Sequence, residues 1–134
     1  MDFSIYISTL AKTWESDPEI TPLRLSRGRL TGGFLFFPPG PAGVLHFQAR
    51  IGKLQIIPFT PGESYQLDDC VIPFSLGIDL FEPPFQIDCI TWNTSVLYPH
   101  ILTACFFLDP SAKKKFAFNT IKNAFSSTKG YSKP

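Results

Sequence analysis

The chain has 134 residues, of which 44% are hydrophobic, 15% aromatic and only 17% charged, with a formal net charge of +1. This length predicts a single domain over residues 1–134 that buries a real core, and the apolar content excludes an intrinsically disordered chain.

The first residues carry two overlapping patterns. Apolar side chains at helical spacing predict a short helix over residues 3–15, although Ile5 and Ile7 also fit a strand. The helical set consists of Phe3, Tyr6, Ile7, Leu10 and Trp14. Because Asp2 stands where a signal peptide has basic residues, we expect an intracellular protein that is not secreted.

The middle of the chain is divided into short apolar runs by many of the 13 prolines and 9 glycines. Short runs with turn residues between them, and no long helical segments, predict about six strands in an antiparallel β-sandwich or barrel. The predicted strand regions are residues 29–37, 44–51, 54–59, 70–76, 85–91 and 95–108.

One of these runs gives the clearest strand signal. Over residues 44–51 apolar and polar side chains alternate, which predicts a half-buried strand with His46, Gln48 and Arg50 on its polar side. The following run ends at a Pro61-Gly62 pair, a combination typical of tight turns. These two runs therefore predict a hairpin.

The C-terminal part predicts a helix over residues 110–126, because Asp109 fits an N-cap, Pro110 fits the first helical position and apolar residues follow at helical spacing. Residues 127–134 are predicted to form a loose basic tail.

Although the net charge is small, the charged residues are distributed unevenly along the sequence. Successive blocks carry −3 over residues 1–23, +5 over 24–53, −7 over 54–109 and +6 over 110–134. Such segregation has three interpretations: pairing of opposite blocks within or between subunits, attraction of polyanions, or solvated charge that compensates within one molecule.

The basic blocks supply a candidate surface for polyanions, because arginine forks bind phosphates well and Gly28 permits close approach. The candidate residues are Arg24, Arg27, Arg29, Arg50, Lys53, Lys113, Lys114, Lys115 and Lys122. The nearby aromatic residues Phe34, Phe36, Phe116 and Phe118 are interpreted as core.

Catalytic and metal-binding signals are weak. His46 and His100 are the two histidines, and we expect His46 to be an ordinary exposed side chain and His100 a structural one. Cys70, Cys89 and Cys105 are an odd number of cysteines, which favours free thiols in a reducing compartment. Together with His100 they are a possible set of zinc ligands, but they lack the short spacing in sequence that is typical of structural zinc sites.

The acidic residues at positions 68–69 and 79–82 lie beside turn residues. We therefore interpret them as parts of solvated turns, in preference to a cation site or a catalytic dyad. We therefore expect no metal, no cofactor and no small-molecule substrate.

These observations predict a non-enzymatic structural or assembly protein of the viral matrix-like or accessory type, by analogy of class alone. We expect a homo-oligomer, with acidic blocks meeting basic blocks of another subunit, that also contacts an anionic membrane surface or nucleoprotein. The alternatives are a nucleic-acid-binding module that uses residues 24–29 and the C-terminal lysines, and a small enzyme with a His and carboxylate site. The location is expected to be cytoplasm or nucleus, including the membrane periphery.

Overall fold

The computed structural model of the protein describes residues 1–113. Eight strands form two antiparallel four-stranded sheets, with order β1-β8-β3-β6 in sheet A and β2-β7-β4-β5 in sheet B. The strands are β1 Asp2–Thr9, β2 Glu19–Arg24, β3 Gly28–Phe37, β4 Leu45–Ile51, β5 Leu54–Ile57, β6 Cys70–Leu80, β7 Gln86–Asn93 and β8 His100–Asp109. The mainly β prediction is confirmed, as is the antiparallel pairing.

One apolar core joins the two sheets. Sheet A contributes every second residue of β8, and sheet B does the same from β4 and β7, as the two-residue period of a strand requires. Strand β3 contributes Leu30, Leu35 and Phe37, and a β-bulge between Leu30 and Gly32 shifts its alternation. Side chains with no exposed surface include Leu35, Phe37, Phe106, Phe47 and Ile87.

A buried polar contact also ties the sheets together. The hydroxyls of Thr9 in β1 and Thr91 in β7 lie 2.8 Å apart, and neither residue is exposed. Asn93, also fully buried, donates from Nδ2 to the carbonyl of Thr9 and to that of Tyr98. Because each of these side-chain groups has a partner, the polar cluster is compatible with a buried position.

The predicted N-terminal helix is wrong, because residues 2–9 form strand β1. Its inward residues Phe3, Ile5 and Ile7 alternate with exposed polar or aromatic ones, and the backbone pairs with β8 from Asp2↔Phe107 to Thr9↔His100. The long-range ladder to β8 overrides a local pattern that fitted both structures.

The six predicted strand regions correspond to β3 through β8 with adjusted bounds, and residues 95–99 form a loop instead of the start of a strand. The predicted count of about six strands is too low, because β1 and β2 bring the number to eight. The hairpin is formed by β4 and β5, and the turn after it closes with a hydrogen bond from the Glu63 amide to the Thr60 carbonyl. Most of the predicted helix over residues 110–126, and the tail over 127–134, lie outside the described residues. Within residues 1–113 there is no helix long and apolar enough to cross a bilayer.

Candidate interaction surfaces

The outer face of sheet A carries apolar side chains arranged in register, with Ser4, Ser8, Ser75 and Thr103 between them. One row runs Tyr6, Thr103, Phe36 and Val71 across the four strands, from β1 to β6. We call this surface the apolar face. It consists of Tyr6, Phe34, Phe36, Val71, Pro73, Ile101 and Phe107.

The interpretation of Phe34 and Phe36 as core residues is wrong. Leu35 and Phe37 point into the core, so strand alternation places the two intervening phenylalanines on the outside, where Phe34 is partly exposed and Phe36 exposed. The ring of Phe34 makes an edge contact with the ring of Phe107, 6.2 Å between centroids. The exposed aromatic surface is therefore continuous between β3 and β8.

Formal charge is confined to the ends of this face. Arg29 pairs across strands with Asp79 and Asp109 at one end, and Asp2 lies at the edge of the sheet. Contiguous apolar surface of this kind on a folded domain marks an interaction site, whereas single exposed apolar residues are ordinary.

The arginines of residues 24–29 do not form one cationic surface. Arg29 makes a 2.6 Å ion pair with Asp79, and this contact raises the pKa of Arg29 above its usual value. Arg27 lies over the ring of Phe81, 4.6 Å from its centroid. Arg24 ends strand β2 of the other sheet.

Candidate basic residues within residues 1–113 lie close together in two places. Arg29 and Lys113 line one shallow hollow, and Arg50 and Lys53 line another. The candidates Lys114, Lys115 and Lys122 lie outside the described residues.

The second of these hollows, which we call the cationic hollow, has a volume of about 360 Å³ and lies at the end of the β4–β5 hairpin. It is lined by Arg50, Lys53, Leu54, Gln55, Phe59, Pro61 and Gly62. Among the described residues that line it, none is acidic.

The side chain of Gln55 holds the loop that forms one wall of the cationic hollow. Its Nε2 amino group, which carries two N–H donors, lies 2.7 to 3.1 Å from the carbonyl oxygens of Pro58, Thr60 and Glu63, and its Oε1 accepts from the Gly62 amide at 3.1 Å. The loop over residues 58–63 is therefore tied to the sheet through one side chain.

Arg50 is incompletely satisfied in this setting. One of its terminal nitrogens donates to Oε1 of Gln48 at 3.2 Å, whereas its buried Nε has no hydrogen-bond partner. The guanidinium keeps donor capacity beyond that single bond, because it carries five N–H groups.

His46 is less exposed than expected. Its ring is partly buried and stacks on Trp92, with 4.9 Å between centroids, and Nδ1 lies 2.9 Å from the Ser64 hydroxyl. Burial lowers the pKa of His46, and the charge of Glu15 opposes that change. These contacts give His46 a packing role on sheet B.

The thiols and carboxylates are dispersed. Cys70, Cys89 and Cys105 are free, and burial raises the pKa of Cys89 to about 12. Asp68 accepts hydrogen bonds from the amides of Gly40 and Ala42. Within residues 1–113 no three His, Cys, Asp or Glu side chains converge on a point where a metal ion would bind.

Comparison of the chain with family models, curated proteins and solved structures gives no significant match. Two surfaces of residues 1–113 have the features of interaction sites, the apolar face of sheet A and the cationic hollow beside sheet B. Sequence reasoning missed the first, because a Phe-rich run does not show which of its residues point outward. Strict alternation from Arg29 would place Phe34 and Phe36 inside with Leu30, and the β-bulge between Leu30 and Gly32 reverses that orientation.

Proposed function

We propose that this protein is a non-enzymatic assembly protein that self-associates and contacts an anionic partner. The observation that supports self-association is the apolar face, where Tyr6 is 65% exposed and Val71 is 57% exposed on a sheet surface with no charge in its central rows. Leaving this surface in water is unfavourable, because burial of apolar area is worth about 25 cal/mol per Å².

Two copies would bury this surface by stacking their sheets face to face, as the sheets inside one copy do. The apolar face spans seven residues of β8, from Ile101 to Phe107, so four strands about 4.8 Å apart and about 24 Å long give a flat footprint of roughly 460 Å². A stable homodimer buries on the order of 800 Å² of accessible surface per partner. The apolar face would therefore supply the centre of a two-fold interface, and the surface around it would supply the rest.

The charge distribution supports an anionic partner that binds to the basic parts of the chain. Residues 1–113 contain seven basic and eleven acidic side chains, a net charge of −4, whereas residues 114–134 contain five lysines and no acid. A polyanion is repelled by the acidic surroundings and attracted to the basic segments, so contact is expected at local basic sites.

Sedimentation velocity of the full chain over a range of concentrations tests self-association. We expect an oligomer that Val71→Lys dissociates, because lysine places a charge in the covered row. The matched control is Val96→Lys in the β7–β8 loop, since Val96 is 58% exposed and Val71 57%. A monomer at every concentration, or equal effects of the two substitutions, would refute the proposal.

A salt series separates two modes of association. An apolar interface persists at high salt, whereas pairing of acidic and basic blocks between subunits weakens as salt screens the charges. Persistence of the oligomer supports the apolar face, and dissociation at high salt contradicts it.

A further inference from the structure

We propose that the cationic hollow and the loop beside it form a contact site for an anionic lipid bilayer. This inference rests on the proposed function for the existence of an anionic partner, and it names that partner as a membrane. The site is separate from the apolar face, because it belongs to sheet B and its β4–β5 hairpin.

Two apolar side chains are strongly exposed at the hollow. Phe59 is 81% exposed, more than any other large hydrophobic side chain among residues 1–113, and Leu54 is 60% exposed. Both line the same hollow, so they present apolar surface on one side of the molecule. Aromatic and leucine side chains with basic neighbours are typical of proteins that lie in the interfacial region of a membrane.

The loop is also organised in this exposed form. Gln55 contacts the backbone of residues 58–63 through both the Nε2 and the Oε1 end of its amide, and the Glu63 amide closes the turn onto Thr60. Phe59 is therefore presented by a loop that needs little further ordering on contact, which lowers the entropic cost of binding.

The hollow also carries two positive charges, from Arg50 and Lys53. Lys53 is exposed in the turn between β4 and β5, and Arg50 has a single hydrogen bond, to Gln48. Both cations line the hollow with the apolar pair, so lipid phosphates and carboxylates have donors beside the point where Phe59 and Leu54 would enter the bilayer. Glu63 lies in this loop and Asp88 lies opposite Arg50 in the pairing of β4 with β7, and the negative charge of each opposes the contact.

A bilayer fits this surface better than a nucleic acid does. Phe59 is the one aromatic residue among the described side chains that line the hollow, whereas single-stranded nucleic acids bind to several aromatic rings along a basic groove. Two cations are also few for a phosphate backbone, but they suit lipid headgroups that assemble around a small inserted apolar tip.

Vesicle co-sedimentation of the full chain tests this proposal. The probes are phosphatidylcholine vesicles and equimolar phosphatidylcholine and phosphatidylserine vesicles. We expect binding to the second kind only, and Phe59→Ser should weaken it by about tenfold or more, because the apolar side chain no longer enters the bilayer. Leu97→Ser in the exposed β7–β8 loop is the apolar control and should leave binding unchanged.

Removal of a positive charge and removal of a negative charge should change vesicle binding in opposite directions. Lys53→Gln should weaken binding by about fivefold, and Glu63→Gln should strengthen it by a similar factor. Lys12→Gln, an exposed lysine outside the hollow, is the control and should have little effect. Thermal unfolding of each variant establishes that the fold is retained.

Three results would overturn the proposal: absence of binding to the acidic vesicles, binding that Phe59→Ser and Lys53→Gln leave unchanged, and equal binding to both kinds of vesicle. A chain that binds RNA but no vesicles falls under the first result. Self-association is measured without lipid, so a failure of the membrane contact is distinguishable from a failure of the proposed assembly function.

Discussion

Removal of the Tyr6 side chain gives the sharpest test of the apolar face. Tyr6 lies on edge strand β1 in the row that continues through Phe36 to Val71, and it points away from the core. Tyr6→Ser therefore removes interface surface and leaves the packing between the sheets intact. We expect the monomer to stay folded and the oligomer to weaken.

The size of the effect follows from the exposed area. A tyrosine side chain has an area of roughly 200 Å², so the 65% exposure of Tyr6 corresponds to about 130 Å² and at most about 3 kcal/mol per copy. A two-fold interface contains the residue twice. If the partner covers half of the exposed area, the dimer loses about 3 kcal/mol, which is a Kd weaker by roughly a hundredfold.

Analytical ultracentrifugation of Tyr6→Ser against Tyr98→Ser makes this measurement with a matched control. Tyr98 is 64% exposed, in the β7–β8 loop, so the two substitutions remove the same chemical group from equally exposed positions. We expect the Kd of the Tyr98 variant to equal that of the wild type. Equal Kd values for the two variants would refute the assignment of the interface to sheet A.

Two further predictions concern the fold that presents these surfaces. Thr9→Val should lower the free energy of unfolding by about 1 to 3 kcal/mol because the buried Thr91 hydroxyl loses its 2.8 Å partner, and adding Thr91→Val should recover part of the loss in urea titrations; purely additive losses would contradict this. Hydrogen bonds from the amides of Ala42 and Gly40 lower the pKa of Asp68, so its stabilising contribution is complete at neutral pH and disappears as pH falls below 3.8 through the folded-state pKa. The difference in unfolding free energy between wild type and Asp68→Asn should shrink in that range, and a constant difference would disprove the linkage.

Strand alternation made part of the fold predictable. Residues 44–51 alternate cleanly, and β4 has Leu45, Phe47 and Ala49 fully buried on one side as predicted. The same reasoning placed His46 on the polar side, but it did not show that Trp92 on β7 would stack on that ring. A cross-strand partner depends on sheet order, which local pattern does not determine.

The apolar face shows a second limit of local pattern. A strand that is apolar on one side has one permitted orientation, because its polar residues must face water. Residues 34–37 are all apolar, so either orientation buries a phenylalanine and the pattern alone does not choose. The choice follows from the register of β3 against β6 and β8, which puts Leu35 and Phe37 inside.

The grouping of charged residues is the feature that differs most between the sequence and the folded chain. Arg24 and Arg29 are five positions apart, yet one ends a strand of sheet B and the other lies in sheet A against Asp79. Conversely, Arg50 and Lys53 are candidates from the same basic block, and the hairpin brings them beside the exposed Phe59. The arginines of residues 24–29 are thus separated, because the chain passes from sheet B to sheet A between β2 and β3. The turn between β4 and β5, in contrast, brings the two cations Arg50 and Lys53 together. For this reason the hairpin end is a better candidate for an anionic contact than residues 24–29.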